Sequence, residues 1–296
     1  MIEKVVIRTA KDVEAHFEDI LHGKKKAEIL LPVPVTNILY CYRDSAPLCL
    51  VLGLSAKDVS LAAGYCRWIV TDPGTSGLKK CQFLTEKEVK AAKEKFGEGS
   101  FRAVTGAEAL AELLDSCDLE EMYKSLKTEE CELIKTIRME EKNNECKEDI
   151  IEESCDDEEN EESELDRLYK KLTDKQAMLD AVSCMMERRG DVFISRVHIL
   201  PMEVRPMAER TAESEPYTVM HDIEYDYEKL ANRAERLIRL TELGAPDPIL
   251  YSEKRHLQQA VDILLGNSLI ECPVMKENGR PVSCLMDVLM RSVPMY

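Results

Sequence analysis

The sequence predicts a mainly helical α+β fold from which two antiparallel helices project as a coiled coil. Residues 225–267 carry apolar side chains three and four positions apart in two segments, with a glycine and two prolines between them. Longer segments on both sides of an acidic block show the same helical spacing. Short apolar runs elsewhere have the composition of strands. Helices are therefore expected to dominate, with a few strands between them.

Most of the net charge of −17 lies in one segment of the 296-residue chain. Residues 140–166 hold fifteen acidic and two basic residues, which leaves a net charge of only −4 for the other 269 residues. Because such a block repels itself and lacks apolar periodicity, it indicates a solvated insert. The rest of the chain is not basic enough to indicate nucleic-acid binding by charge alone.

Composition and motifs exclude several classes of protein. No apolar run approaches the roughly 18 residues of a membrane span, and the N-terminus does not resemble a signal peptide, so we expect a cytoplasmic protein without membrane contact. The eleven cysteines include no Cys-x-x-Cys pair, which predicts reduced thiols, no metal site and no disulfide. Phosphate-loop, zinc-protease and hydrolase motifs are missing, so neither catalytic residues nor cofactors are predicted.

The first 74 residues are predicted to mix strands with a short helix. Residues 1–33 are interpreted as strand, helix and strand. Ser55 is expected to cap a helix that ends near Gly64. Tyr65–Thr71 then indicates a buried strand, which the turn at residues 72–74 ends.

Helices are predicted to follow on both sides of the acidic block. Thr85 is expected to cap a helix through Phe96, and Thr105 a second one that ends near Leu119. Residues 121–139 should continue as a helical arm, and residues 165–188 as a return arm that pairs with it. The return arm is expected to close at Gly190, and a strand should run from Val192 to Leu200.

The helical pattern is sharpest over residues 225–267, after an aperiodic loop at 208–222. Gly244 suits the left-handed position that ends a helix, two prolines prevent continuation, and Ser252 is expected to cap the second helix. Each apolar stripe has about two positions per heptad, which is typical of a two-helix seam. A hairpin packed on its own domain would give the same pattern, so both interpretations stay open.

Four stretches carry motifs of a known family. The strongest is Asn232–Asn267, with Arg-Leu-x-Arg-Leu, an Ala-Pro-Asp turn and Glu-Lys-Arg-x-Leu-Gln-x-Ala-Val-Asp. Residues 34–74 form the second. The two shorter ones are Thr105–Ala109 with Leu113, Leu114, Asp118 and Leu119, and Leu200-Pro201 with Arg205–Met207, Arg280-Pro281, Leu285 and Asp287. Together they resemble the clamp of the beta-prime subunit of bacterial DNA-directed RNA polymerase, and the hairpin matches its clamp helices without a gap.

The resemblance implies a clamp-like fold in which the hairpin docks a sigma factor. It assigns sigma-facing roles to six residues: Arg233, Arg236, Glu253, Gln258, Ala260 and Asn267. Arginine and glutamate can make charge-assisted hydrogen bonds to a partner helix, and a small alanine allows close approach. Pattern, charge and resemblance together divide the chain into seven segments: 1–33, a strand and helix; 34–139, the first part of the clamp head; 140–166, the acidic insert; 167–207, the return arm and strand; 208–224, a lid-like loop; 225–267, the hairpin; and 268–296, a rudder-like segment and the C-terminus.

The sequence departs from the family pattern in two respects. It has no four-cysteine zinc ribbon and no loop of three aspartates that would hold a catalytic magnesium ion; Asp222-x-x-x-Asp226 has neither the spacing nor the glycines of such a loop. We therefore expect a non-catalytic clamp segment that binds sigma factor and RNA polymerase core subunits, and contacts DNA or RNA only within an assembled polymerase. The alternative is a free-standing regulator or decoy that sequesters sigma factor.

Overall fold

The computed structural model describes residues 3–7, 25–148, 163–200 and 222–287. Over these ranges the protein is mainly helical with two small sheets, which confirms the α+β class. The helix predicted between the first two strands and most of the predicted loop at 208–222 lie outside the described residues. Within the described ranges, no helix is both long and apolar enough to cross a membrane.

Among the described residues, strands and short helices make up the chain before Leu119, and the four longest helices follow from there. In chain order they are β1 (Glu3–Ile7), β2 (Lys25–Thr36), α1 (Pro47–Leu52), α2 (Ala56–Ala63), β3 (Trp68–Asp72), β4 (Phe83–Leu84), α3 (Glu86–Phe96), β5 (Arg102–Val104), α4 (Ala107–Asp115), α5 (Leu119–Glu148), α6 (Glu164–Val192), β6 (Phe193–His198), α7 (Asp222–Glu242) and α8 (Asp247–Gly266).

The first sheet has the strand order β1-β2-β6, with β1 parallel and β6 antiparallel to β2. The register of the β2–β6 pair shifts between Leu30 and Val35. Pro32 and Pro34 lie in this interval, and because proline has no backbone N–H it cannot donate to the ladder. Because β6 pairs with β2, the sheet joins the N-terminal part of the chain to the strand that follows the return arm.

The second sheet, with the order β4-β3-β5, lies among α1–α4. The predicted caps of α2 and α3 are confirmed: Ser55 accepts from the Asp58 N–H, and Thr85 forms a capping box with Glu88. The cap predicted at Thr105 is wrong. Gly106 holds that position with φ of 82°, while the Thr105 hydroxyl donates to the Arg67 carbonyl oxygen at 2.7 Å.

The two arms pair as predicted, through α5 and α6. Lys175 on α6 forms an ion pair with Glu129 on α5, and the Tyr169 hydroxyl donates to Glu141, which lies at the start of the acidic insert. The helix of the first arm continues to Glu148, well inside the acidic block. The predicted end of the return arm at Gly190 is wrong, because α6 continues to Val192 after a local departure from helical geometry at Arg188.

Two separate apolar clusters form most of the core. The hairpin cluster combines the buried faces of α7 and α8 with the first sheet: Ala27, Ile29, Leu31, Val35, Val197, Ile223, Tyr227, Leu230, Ala231, Ala234, Leu237, Leu257, Ala260, Val261, Leu264 and Leu285. The head cluster joins α1, α2, β3 and α4 to the end of α6: Ala46, Leu48, Cys49, Val51, Val59, Ala62, Ala63, Ile69, Leu110, Leu113, Leu114, Ala181, Val182, Met185 and Val192. No buried residue belongs to both clusters.

Candidate functional site

The hairpin is built from α7 and α8, which run in opposite directions from a short turn. Gly244 has φ of 65°, and the N–H groups of Gly244 and Ala245 bond to the carbonyls of Thr241 and Leu240. This is the Schellman arrangement that a glycine after a helix permits, and it confirms the predicted turn. The cap predicted at Ser252 is wrong: α8 already begins at Asp247, because proline is tolerated in the first turn of a helix.

The base of the hairpin is part of the protein core, whereas its tip is not. The strands β2 and β6 pack against the half of the hairpin that lies away from the turn at Gly244. The apolar stripe therefore contacts the first sheet as well as the partner helix. At the tip, residues 241–249 are exposed apart from partly buried Ala245. Leu243 and Ile249 are the largest apolar side chains there, and Leu243 is 75% exposed. The tip thus extends beyond the core.

A carboxylate on α8 holds two arginines of α7 in place. The Glu253 side chain is 6% exposed; it accepts a hydrogen bond from Arg233 at 3.4 Å and forms an ion pair with Arg236 at 3.1 Å. His256 Nδ1 lies 3.8 Å from the same carboxylate. The side chain of Arg236 is 60% exposed and that of Arg233 is 31% exposed. Two guanidinium groups around one buried carboxylate leave a net positive charge on the surface.

The two arginines also line a shallow groove along the outer face of α7. Its lining residues recur at helical spacing on one face: Tyr225, Glu228, Lys229, Asn232, Arg233 and Arg236. Three of these side chains are cationic and one is anionic, so the groove is positively charged. Tyr225 is 55% exposed at one end of it. Tyr225 and Lys229 are not among the residues predicted from the sequence, although Tyr225, Lys229 and Arg233 follow one another at intervals of four residues.

Gln258 faces inward and completes the hydrogen bonding of a strand. Its amide oxygen accepts from the Thr36 N–H at 2.9 Å, and its amide nitrogen donates to the Thr36 carbonyl at 2.7 Å. The same nitrogen donates to Asp262 at 2.9 Å. Both residues of the first pair are buried. A helix side chain therefore occupies the place that a neighbouring strand would take beside the end of β2.

The remaining two predicted site residues are also buried. Ala260 is 3% exposed within the hairpin cluster. Asn267 is fully buried, and its amide bonds to the carbonyls of Val274 and Val282 and accepts from the Val274 N–H at 2.8 Å. Asn267 thus fastens the loop at 274–282 to the end of α8. Of the six predicted residues, only Arg233 and Arg236 offer much of their side chains to a partner in this structure.

Comparison with known proteins identifies the family of the chain. The family described as RNA polymerase Rpb1, domain 1, matches residues 23–290. The chain belongs to this family. It is 32% identical over 266 residues to the DNA-directed RNA polymerase subunit beta' of Alkaliphilus oremlandii (strain OhILAs), which covers 90% of this chain and 20% of that subunit.

Other members show similar identity. The subunit beta' of Thermoanaerobacter sp. (strain X514) is 31% identical and that of Geobacillus kaustophilus (strain HTA426) 30% identical, each over 90% of this chain. The chain spans about a fifth of the length of these curated relatives. The resemblance inferred from the hairpin motifs to the beta-prime family is therefore confirmed.

Two aspartates lie near the start of α7 in this Rpb1 domain 1 chain. Asp222 pairs with Lys276 and accepts from the Ser283 N–H at 3.2 Å, which ties the 274–282 loop to the helix. Asp226 is buried, and burial raises its pKa to about 6. In the part of the chain that the structure describes, no three histidine, cysteine, aspartate or glutamate side chains come close enough together to hold a metal ion.

Proposed function

We propose that this chain acts in DNA-templated transcription as the clamp segment of an RNA polymerase beta-prime-like subunit and docks a sigma factor through its hairpin. The observation that supports this best is the cationic groove on α7, held in shape by the buried carboxylate of Glu253. Family membership supports the transcription role, because the matched relatives are polymerase subunits.

The proposed docking element is a projecting antiparallel coiled coil with a clamp-like base. Packing of the base on the first sheet fixes where the helices leave the core, and the outer face of α7 stays accessible. A partner helix laid along the groove would meet side chains from three consecutive turns of α7. Such helix-in-groove recognition uses contacts spaced by three and four residues.

The six residues assigned to sigma binding divide into two groups in this proposal. Arg233 and Arg236 contact acidic residues of sigma factor directly, since their side chains are 31% and 60% exposed. Glu253, which is buried on α8, orients both arginines through its ion pairs with them. Gln258, Ala260 and Asn267 act indirectly, by holding α8 against β2 and against the 274–282 loop.

Membership of the family also suggests partners other than sigma factor. We propose that the chain also associates with other core subunits of the polymerase, and that contact with DNA or RNA occurs only in that assembly. No catalytic residue, metal or cofactor is assigned to this chain. The acidic insert at 140–166 is proposed to be a separate, solvated extension of the α5–α6 arms.

The test is the affinity of the purified full chain for the primary sigma factor of the same organism, measured by titration calorimetry. Arg233→Glu and Arg236→Glu should each weaken binding by about 2–5 kcal/mol, the cost expected when a charge pair desolvated on docking is broken. Circular dichroism should show that both variants stay folded, because Glu253 keeps one of its two arginine partners in each variant.

A matched control is Lys124→Glu, which reverses an exposed charge on α5 without touching the hairpin. It should leave affinity almost unchanged, since a distant charge alters only long-range steering. The docking proposal fails if the native chain and sigma factor form no complex at micromolar concentration. It also fails if all three substitutions weaken binding equally.

A further inference from the structure

Near its tip, the hairpin meets the head through contacts that lie outside both apolar clusters, whereas nearer its base α8 also lies against residues 38–40. The hairpin cluster and the head cluster share no buried residue, and the contacts between α8 and the β3–α4 region come from partly exposed polar and aromatic side chains. We call this set the joint; its residues are Tyr65, Trp68, Tyr251, Lys254 and Arg255.

The polar half of the joint is an arginine that caps another helix. Arg255 on α8 donates to the carbonyl of Gly64 at 2.9 Å and to that of Tyr65 at 3.1 Å. These carbonyls lie just beyond the C-terminal end of α2, where backbone acceptors lack partners within the helix and the helix dipole favours a cation. Arg255 therefore bonds the hairpin to the head at one point, with two charge-assisted hydrogen bonds.

The aromatic half of the joint lies one helical turn away on α8. The ring of Tyr251 stacks on Tyr65 with 6.1 Å between centroids and meets Trp68 edge-on at 5.6 Å. Lys254 Nζ lies 5.6 Å from the Tyr251 centroid and 5.8 Å from that of Tyr65. These distances are in the range of aromatic and cation–π pairs, each of which contributes modestly at partly exposed sites.

Tyr65 is held in the joint in an unfavourable backbone conformation. Its φ is 56°, in the left-handed region that bulky residues rarely adopt. The ring sits directly over Gly106, where a Cβ atom would lie 2.3 Å from it, so only glycine fits beneath. The end of α2 itself fixes this conformation, because the N–H groups of Tyr65 and Cys66 bond to the carbonyls of Ala62 and Leu61.

We propose that the joint is a latch, which releases the hairpin from the head while the hairpin cluster and the head cluster both stay folded. The side chains of the joint are partly exposed and belong to neither cluster. Segments of this kind open at a lower free energy than the core. The latch would set the angle at which the hairpin leaves the head, independently of any partner that the hairpin binds.

The chain carries its own reporter for this opening, because Trp68 is the single tryptophan. A urea titration of the full chain would follow Trp68 fluorescence and far-ultraviolet circular dichroism together. Trp68 emission is expected to change at lower urea than the helical signal. Hydrogen exchange should show that the β3 amides at residues 69–72 stay protected through the first change, which places it in the joint and not in the head.

Substitutions separate the latch from ordinary stability. Arg255→Met and Tyr251→Ala should each raise the population of the released form by roughly tenfold, moving the Trp68 transition to lower urea without moving the circular dichroism midpoint. Tyr251→Phe should behave like the native chain, because it keeps the ring. Arg239→Met, on the exposed part of the same hairpin, is the control for loss of an arginine and should move neither signal.

The latch is refuted if the two signals coincide in the native chain, or if Arg255→Met and Tyr251→Ala shift both signals together. Failure of either variant to fold would also refute it, because the joint would then be part of the cooperative core. None of these measurements uses sigma factor, so their outcome is distinct from that of the docking experiment.

Discussion

Gln258→Ala tests whether a residue matched to a docking surface works inside the protein. The substitution removes one donor group and one acceptor from a buried site. It leaves the N–H and the carbonyl of Thr36 without their partner and takes a hydrogen bond from Asp262. Water cannot easily replace the lost groups, because Gln258 and Thr36 are 3% and 1% exposed.

The size of the effect follows from the two backbone groups. A buried donor or acceptor left unsatisfied costs about 1–3 kcal/mol, and partial rearrangement reduces the sum for two groups at one residue. We therefore expect Gln258→Ala to lower the free energy of unfolding by about 2–5 kcal/mol. Alanine has the higher helix propensity, which offsets a few tenths of a kcal/mol.

The neighbouring residue provides a matched control. Gln259 is exposed on the same turn of α8, so Gln259→Ala makes the same chemical change and the same gain in helix propensity without breaking the contact to β2. Urea denaturation followed by circular dichroism gives both free energies of unfolding. Hydrogen exchange at the Thr36 amide should accelerate in the first variant and not in the second.

A different pair of results would show that Gln258 belongs to the docking surface. If Gln258→Ala is as stable as Gln259→Ala and yet weakens sigma binding, the side chain contacts the partner and the intramolecular explanation is wrong. If it loses stability and its affinity falls only to the extent that the folded fraction falls, the side chain acts by positioning α8.

Three further predictions concern charge, turn geometry and the acidic insert. Burial raises the pKa of Asp226 to about 6 from 3.8, so its contribution to stability is present below pH 3.8 and is lost as the pH rises through 6. Asp226→Asn should therefore gain about 1–2 kcal/mol over the native chain between pH 4 and 8 in urea titrations, and an unchanged difference across that range would contradict this. Gly244→Ala should cost about 1 kcal/mol because φ is positive there, whereas Gly190→Ala, inside α6, should stabilise by about 0.5–1 kcal/mol; equal effects on melting would refute the argument. Replacing residues 149–162 by a short Gly-Ser linker should leave the melting temperature nearly unchanged, and a large drop would show that this segment contributes to the core.

Features that depend on a few neighbouring residues could be predicted from the sequence. The capping box at Thr85 and the glycine turn at Gly244 are local, since all of their hydrogen bonds join residues within five positions of one another. The errors at Thr105 and Ser252 have a different origin. Thr105 bonds to a carbonyl 38 residues away, and α8 extends through a proline that was interpreted as a break.

The candidate site could be found from the sequence but not divided into outward and inward residues. Helical spacing separates polar from apolar faces, and by that criterion Gln258 and Arg236 are alike. Their difference lies in a strand end 222 residues from Gln258, whose N–H and carbonyl need a partner once they are buried. The joint residues were missed for the same reason, because Arg255 finds its acceptors about 190 residues away.

By itself the sequence determined the mainly helical α+β class, the local caps and turns, and membership of the beta-prime family through the motifs of Asn232–Asn267. Only the tertiary structure decided that Arg233 and Arg236 are the exposed members of the predicted set and that Gln258, Ala260 and Asn267 hold the hairpin to its base. Local sequence determines backbone conformation through steric and capping effects. Which polar side chain turns inward depends instead on the unsatisfied backbone groups that distant segments bring to it.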